Sequence, residues 1–539
     1  MAPPTHRIER DPLGEVRVPA DAYYGVQTRR AVENFPISGM VAFPELVTAT
    51  VMIKKAAAEA NRSLDRLPPD VGAAIVRAAD EILAGQLRDQ FVVDVYQAGA
   101  GTSHNMNANE VLANRAGELL GDRRGSYARV HPNDHVNMGQ STNDVFPTAT
   151  RLALLFALGD VLDGARVLSE GLLAKSRSLA GVLKTGRTHL QDAVPMTFDQ
   201  EFGGYAANIA HAADELERTA EQLYELNLGA TAVGTGLNAG DDYAYAAIAN
   251  LARYTSLPLR PAADRFRVTQ SMGDVLGYSG ALRRLAVEVN KIASDLRLLS
   301  MGPRAGLSEV RLPAVQPGSS IMPGKVNPSV PEMVNQVCYQ VIGCDAAVLA
   351  AADAGQLELN VMMPVIAWNA LHASRILANA MRVLQARCVQ DLEADAERAR
   401  ELLDRSTAVA TALSPYIGYA ATAEVAKAAV KTGTPVRDLV RKRKLVPAED
   451  LDAILSAEAM TSPGIPGENQ KTDGASTRPS RARGAGAEHQ RGRKPAAAPA
   501  RPAVPAGRSG TAGGTGSRRV AASGSRDGRT GHRRGQHRR

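Results

Sequence analysis

Gly318-Ser319-Ser320-Ile321-Met322-Pro323-Gly324-Lys325-Val326-Asn327-Pro328 packs two hydroxyls, one ammonium and one carboxamide between glycines and prolines. The segment reads as an anion-handling loop. Gly318 and Gly324 permit backbone angles that a Cβ resists, so main-chain N–H groups can turn toward a bound anion, while Pro323 and Pro328 limit collapse. Lys325 supplies a compact positive charge and Asn327 a donor for a carboxylate oxygen. Ser319 or Ser320 offers an oxygen able to carry a proton.

A nucleotide P-loop needs Gly, four residues, then Gly-Lys-Ser/Thr. Here five residues separate Gly318 from Gly324, and Val326 stands where a magnesium-binding hydroxyl belongs. A flexible surface loop is the plainer alternative, but Ile321 and Met322 are costly to leave in water.

Working outward, apolar residues repeat with a helical period. Leu282, Leu285, Val289, Ile292, Leu296 and Leu299 recur at steps of three and four, as do Ile209, Ala213, Leu216, Ala220 and Leu223. Such seams predict long, nearly aligned helices. With helices predicted at 149–180, 331–353 and 363–393, the core is a five-helix bundle. Almost nothing reads as sheet, and Gly234-Thr235-Gly236 follows a helix and lacks a third glycine, so a dinucleotide fold is unsupported. The expected class is all-α: an N-terminal helical domain (1–141), the central bundle (142–397), a small helical C-terminal domain (398–467) and a tail (468–539). Within the first domain, helices are expected from Glu45 to the Leu67-Pro68-Pro69 turn and from Val71 to Leu87. Within the third, Ser414-Pro415-Tyr416-Ile417-Gly418-Tyr419 precedes a helix from Thr422 to Lys431.

Three further polar clusters interrupt the apolar rhythm. In Gly99-Ala100-Gly101-Thr102-Ser103-His104-Asn105, a helix N-terminus is expected, a place that attracts carboxylates. Its plainer reading is that Thr102 or Ser103 caps the helix. Ser141-Thr142-Asn143 presents three short hydrogen-bonding side chains ahead of a helix expected near Thr148. Gly186-Arg187-Thr188-His189-Leu190-Gln191 places a histidine near a turn, where it can be structural or catalytic. His131 and His135 do not make a metal site, because Pro132 keeps them off one helical face and no third ligand is evident.

Composition bounds the rest. The chain has 539 residues, 44% of them hydrophobic, enough for several domains with substantial cores. Its net charge of +7 is unevenly placed: 17 Lys/Arg against 4 Asp/Glu lie in 468–539, leaving 46 against 52 elsewhere. The tail has no Leu, Ile, Met, Phe, Tyr, Trp or Cys and is expected to be disordered. Three readings of it stay open: a nonspecific nucleic-acid or polyanion binder, a solubilising extension, or an out-of-frame continuation of GC-rich coding sequence. Cys338, Cys344 and Cys388 sit in apolar surroundings and read as buried thiols of a reducing compartment. No apolar run approaches the ~20 residues that span a bilayer, and Met1 to Asp11 lacks a signal-peptide core. A soluble cytoplasmic protein without membrane contact is the expectation.

The loop closely resembles the signature segment of the fumarase/aspartase superfamily, and the resemblance runs over roughly residues 7 to 467. Val330-Pro331-Glu332-Met333-Val334-Asn335-Gln336-Val337 and Ala354-Gly355-Gln356-Leu357-Glu358-Leu359-Asn360-Val361-Met362 look like the aspartase branch rather than the class II fumarases. The resemblance implies reversible loss of ammonia from L-aspartate to give fumarate, with no organic cofactor and no metal. It makes Ser319 the base and adds His189, with Glu332 as its partner, to the catalytic set, His189 either protonating the departing ammonia or only orienting the ammonium. It assigns Lys325 and Asn327 to the α-carboxylate and counts Ser320 among the substrate-binding residues. Thr102, Ser141 and Thr142 fall to the β-carboxylate and its aci form, and Asn143, Thr188 and His189 to the amino group. It also implies a homotetramer whose sites draw on three subunits. Met363 departs from the pattern, standing where many aspartases carry Glu and fumarases Arg. Fumarate hydration is the alternative chemistry. A catalytically silent scaffold, binding polyanions through the tail, is the alternative of another class.

Overall fold

The computed structural model describes residues 5–468. Five helices, Thr142–Ser178, Phe198–Ala220, Gly273–Leu299, Ser329–Asp353 and Met363–Leu384, form the bundle. The Leu282–Leu299 seam lies inside it, its six residues no more than 6% exposed. In the other seam Ala213 is only half-buried and its neighbour Ala212 takes the interior place. One continuous apolar cluster joins all five helices, and burial of such seams is what fixes their alignment.

The helix expected near Thr148 starts six residues earlier. Ser141 is its N-cap, and Asp144 returns a hydrogen bond to the Ser141 N–H, so two short polar side chains supply the start signal. Pro147 lies inside this helix and cannot bond back to the Asn143 carbonyl. Asn227 Nδ2 fills that acceptor at 3.2 Å instead. The last bundle helix ends at Leu384, short of 393, and a π-turn over Gln385–Val389 finishes it.

Strands are more numerous than the sequence suggested. Among the described residues there are four two-stranded pairs, two of them full hairpins: His6–Asp11 with Gly14–Pro19, and Leu183–Thr188 with Gln191–Thr197. The second is the histidine-bearing segment. A second apolar cluster gathers helices Pro44–Ser63, Pro69–Leu83 and Thr102–Leu119. Helix Pro69–Leu83 stops four residues before Leu87, which takes a left-handed φ of 55°. A third cluster joins Ala396–Arg405, Val436–Arg443 and the helix Ser414–Thr432, which begins eight residues before Thr422 and bends at Gly418.

Two helices, Thr142–Ser178 and Ser329–Asp353, are long and apolar enough to cross a membrane, which corrects the expectation that no stretch is. Few charges interrupt either one, so average hydropathy passes where unbroken runs fail. The most apolar stretch of the first is 72% buried inside the fold, that of the second only 39%. The three thiols are free and buried, and burial pushes Cys338 and Cys388 up to about 12. The basic segment 468–539 lies outside the described residues apart from Glu468.

Candidate active site

The signature loop is folded on itself. Gly318 N–H donates to Lys325 O (2.9 Å), Lys325 N–H to Met322 O (3.2 Å) and Asn327 Nδ2 to Gly318 O (2.7 Å). Gly324 holds φ +79°. Gly318 is required for a different reason, since a Cβ there would lie 2.3 Å from Lys325 O. Inside this latch the Ile321 and Met322 N–H groups both donate to Ser319 Oγ, at 3.2 and 3.0 Å. Paired N–H donors aimed at one oxygen form a concavity that favours negative charge. Ser319 is half-buried, whereas Ser320 and Lys325 are exposed. Ile321 is 83% exposed, so the loop presents apolar surface to whatever covers it. Glu332 is exposed in the first turn of the following helix, where the helix dipole favours a carboxylate.

A second group forms where two helix N-termini meet. Thr102 is the first residue of Thr102–Leu119, and Gly101 is its cap, so neither Thr102 nor Ser103 caps the helix as the plainer reading supposed. The Thr102 hydroxyl donates to Gly99 O at 2.6 Å and has Thr142 Oγ1 3.2 Å away. Ser141 Oγ accepts from Asn143 N–H (3.2 Å), and Asn143 Nδ2 donates to Ala232 O (2.8 Å). Thus Thr102, Ser141, Thr142 and Asn143, distant in sequence, share one corner of the fold.

Beneath that corner lies a buried polar network that the sequence reading missed. Asn105 Nδ2 donates to Thr142 Oγ1 (3.2 Å), and the Asn105 and Asn109 amides both reach Asn137 Oδ1. Lys54 Nζ donates to Asn137 Oδ1 (2.9 Å) and Gln140 Oε1 (2.8 Å). Burial lowers the Lys54 ammonium to about 7, against the pull of Asp144. Burial raises Asp144 to about 7, against backbone donors that include Gly229 and Thr231. The sequence carries no signal of this network, since Lys54 and Lys55 are consecutive in an alanine-rich helix and only Lys55 stays part-exposed, paired with Asp80. The nearby His131 is structural, its Nδ1 accepting from the Asn133 and Asp134 N–H groups.

The third group is the tip of the Leu183–Thr197 hairpin, where Thr188 and His189 are exposed. His189 and Leu190 form a two-residue turn with φ of 54° and 60°. Positive φ at both central positions matches hairpin twist, although Asn-Gly is the usual sequence there.

No hydrogen bond or ion pair of the described residues links any two of these groups, and His189 and Glu332 do not pair within the chain. The loop, the helix corner and the hairpin tip each offer donors suited to carboxylate or amine chemistry, and none holds a metal-ligating set among the described residues.

A family model described as lyase matches residues 14–343, and one described as fumarase C C-terminus matches residues 409–462. The chain belongs to the fumarase/aspartase superfamily of lyases, with its all-α fold. Among relatives, the aspartate ammonia-lyase of Pseudomonas aeruginosa is 51% identical over 462 residues, covering 85% of this chain and 98% of its own. That of a Bacillus species is 48% identical over 461 residues, covering 86% and 98%. Two solved structures are similar. A fumarate lyase:delta crystallin from Brucella melitensis bound to cobalt has TM-score 0.82 at 51% identity, covering 85% of this chain and 100% of its own. The class II fumarase of Schistosoma mansoni has TM-score 0.83 at 38% identity, covering 85% and 99%.

Proposed function

We propose that this protein is an aspartate ammonia-lyase, converting L-aspartate reversibly to fumarate and ammonia. One observation carries the reading: about half the residues are identical to enzymes of that name along nearly their whole length. The site chemistry supports it. The Cβ proton of aspartate is acidified only by the adjacent carboxylate, which becomes a doubly charged aci-carboxylate as the proton leaves. Donors fixed in advance around that charge are the largest available source of rate.

Ser319 takes the proton. An alkoxide is a strong base only where it is stabilised, and the Ile321 and Met322 N–H groups already converge on Ser319 Oγ. The electron pair of the broken C–H bond moves into the carboxylate, then forms the C=C bond as the C–N bond breaks and the amine departs. Thr102, Ser141 and Thr142, at two helix N-termini, hold the β-carboxylate and its aci form. Lys325 and the second Asn327 amide hydrogen hold the α-carboxylate, with Ser320 beside them. Asn143, Thr188 and His189 face the amino group, with Glu332 orienting His189. No cofactor enters the steps.

Among the described residues no hydrogen bond or ion pair joins the three groups within one chain, and the complete site is assembled from three subunits of a homotetramer. Outward apolar residues on the bundle support that assembly: Val287 (48% exposed), Tyr339 (57%) and Leu349 (52%) cover helices that have no partner on that side. The compartment is cytoplasmic, where free thiols stay reduced.

Fumarate hydration is the second reading, since the class II fumarase of Schistosoma mansoni shares the fold at 38% identity. Separate assays with L-aspartate and L-malate, following fumarate absorbance, decide. Fumarate is expected from aspartate at a kcat/KM at least ~100-fold above that from malate; the reverse order would overturn the reading.

A further inference from the structure

Among the described residues, one side-chain hydrogen bond, from Gln191 Nε2 to Leu190 O at 3.3 Å, reaches the tip of the hairpin that carries Thr188 and His189. Neither side chain makes a hydrogen bond among the described residues, both are exposed, and Leu190 beside them is 73% exposed. Two successive non-glycine residues at positive φ are strained, so the turn keeps this pose only if the structure below it holds it.

That hold comes one residue before the tip. Arg187 Nη1 donates to Glu309 Oε2 at 2.7 Å and Nη2 to Glu309 Oε1 at 3.2 Å, a two-pronged fork, and Nη1 also reaches Thr185 O at 3.2 Å. Glu309 is fully buried. Its own backbone is pinned, with its N–H on Leu299 O and its C=O accepting from Asp395 N–H, both at 2.9 Å. Leu299 is the end of a bundle helix, so the fork ties the hairpin to the bundle.

The local sequence is shaped for this contact. The strand register shifts between Thr185 and Arg187. Gly186 allows that bulge, since a Cβ there would lie 2.7 Å from Val194 O. Successive side chains point to opposite faces of a strand, so fixing Arg187 on one face fixes the direction of Thr188 on the other.

We propose that the Arg187–Glu309 ion pair is a positioning clamp that sets the pose of Thr188 and His189 toward the substrate amine. The proposal rests on the ammonia-lyase reading and goes beyond it, because neither residue touches substrate.

The test uses the full-length oligomer and L-aspartate. Glu309→Gln keeps shape and removes the charge; Arg187→Lys keeps charge and removes the fork. Either single change leaves a buried charge poorly paired and can weaken folding. The double variant Arg187→Met/Glu309→Leu removes both charges and is expected to fold with an unchanged melting temperature. In it, kcat should fall ~10–100-fold, as for a small misplacement of a reacting group, while KM stays within about threefold. The same double change placed in a Thr188→Ala/His189→Ala background should cost less than about threefold more, because the clamp then has nothing to position. A folded double variant at the wild-type rate, or an undiminished loss in the Thr188→Ala/His189→Ala background, would overturn the clamp. A wild-type enzyme inactive on L-aspartate would instead overturn the reading beneath it.

Discussion

In the proposed reaction Ser319 takes a proton from carbon, a task for which a serine is unsuited until its oxygen is stabilised as an anion. The latch of Gly318 against Lys325 turns two N–H groups onto that oxygen. Gly318→Ala, which drives a Cβ to within 2.3 Å of Lys325 O, should therefore lower kcat on L-aspartate by ~100-fold, as loss of oxyanion-type donors does. Steady-state assay with an unchanged melting temperature checks it. His104 offers a prediction in pH. Burial, then the Lys54 charge, lowers its imidazole to about 4. The folded value lies below the unfolded one, so the unfolded chain holds the extra proton between about pH 4 and 6.5. Its stability contribution is full above pH 6.5 and is lost as pH falls through that window, by up to ~3 kcal/mol. Urea unfolding of His104→Gln at pH 4 and pH 7 should show a smaller difference than wild type. An equal difference would contradict the assignment. At this scale the loop chemistry was legible because its polar groups stand together between glycines and prolines, while the cost of exposing Ile321 did not bury it, since it is 83% exposed. Lys54 was not, because a lysine in an amphipathic helix normally faces water.

Elements were legible in proportion to the regularity of their burial. The Leu282–Leu299 seam repeats at helical spacing and is buried as that spacing requires. The Leu183–Thr197 hairpin gives no such sign, since its turn is His-Leu rather than Asn-Gly and its bulge breaks alternation. The start of the Thr142–Ser178 helix was misplaced for a related reason: its first residues are polar, and a capping box, not apolar rhythm, begins it. Ser141 is therefore a helix cap that the proposed reaction also uses as a substrate donor, and the two roles can be separated. Ser141→Ala should cost ~1 kcal/mol of stability and Ser141→Gly only a few tenths, because glycine tolerates the cap position. Both should lower kcat/KM for aspartate alike. Activity that instead tracks stability across the two variants would mean that the hydroxyl acts only as a cap.

The whole molecule holds its site in pieces. In one chain the Ser319 loop, the Thr102–Thr142 corner and the Thr188–His189 tip share no hydrogen bond or ion pair, and apolar bundle faces point outward. Sequence showed each piece as a polar run but not how the pieces pack. The proposed assembly sets Ser319 of one chain beside Thr142 of another. Co-expression of Ser319→Ala with Thr142→Ala, each inactive alone, tests it most directly. With random mixing in a closed oligomer, about a quarter of sites regain both residues. Purified mixed oligomers should then release ammonia from L-aspartate at about a quarter of the wild-type rate. Mixed oligomers as inactive as either parent would contradict it.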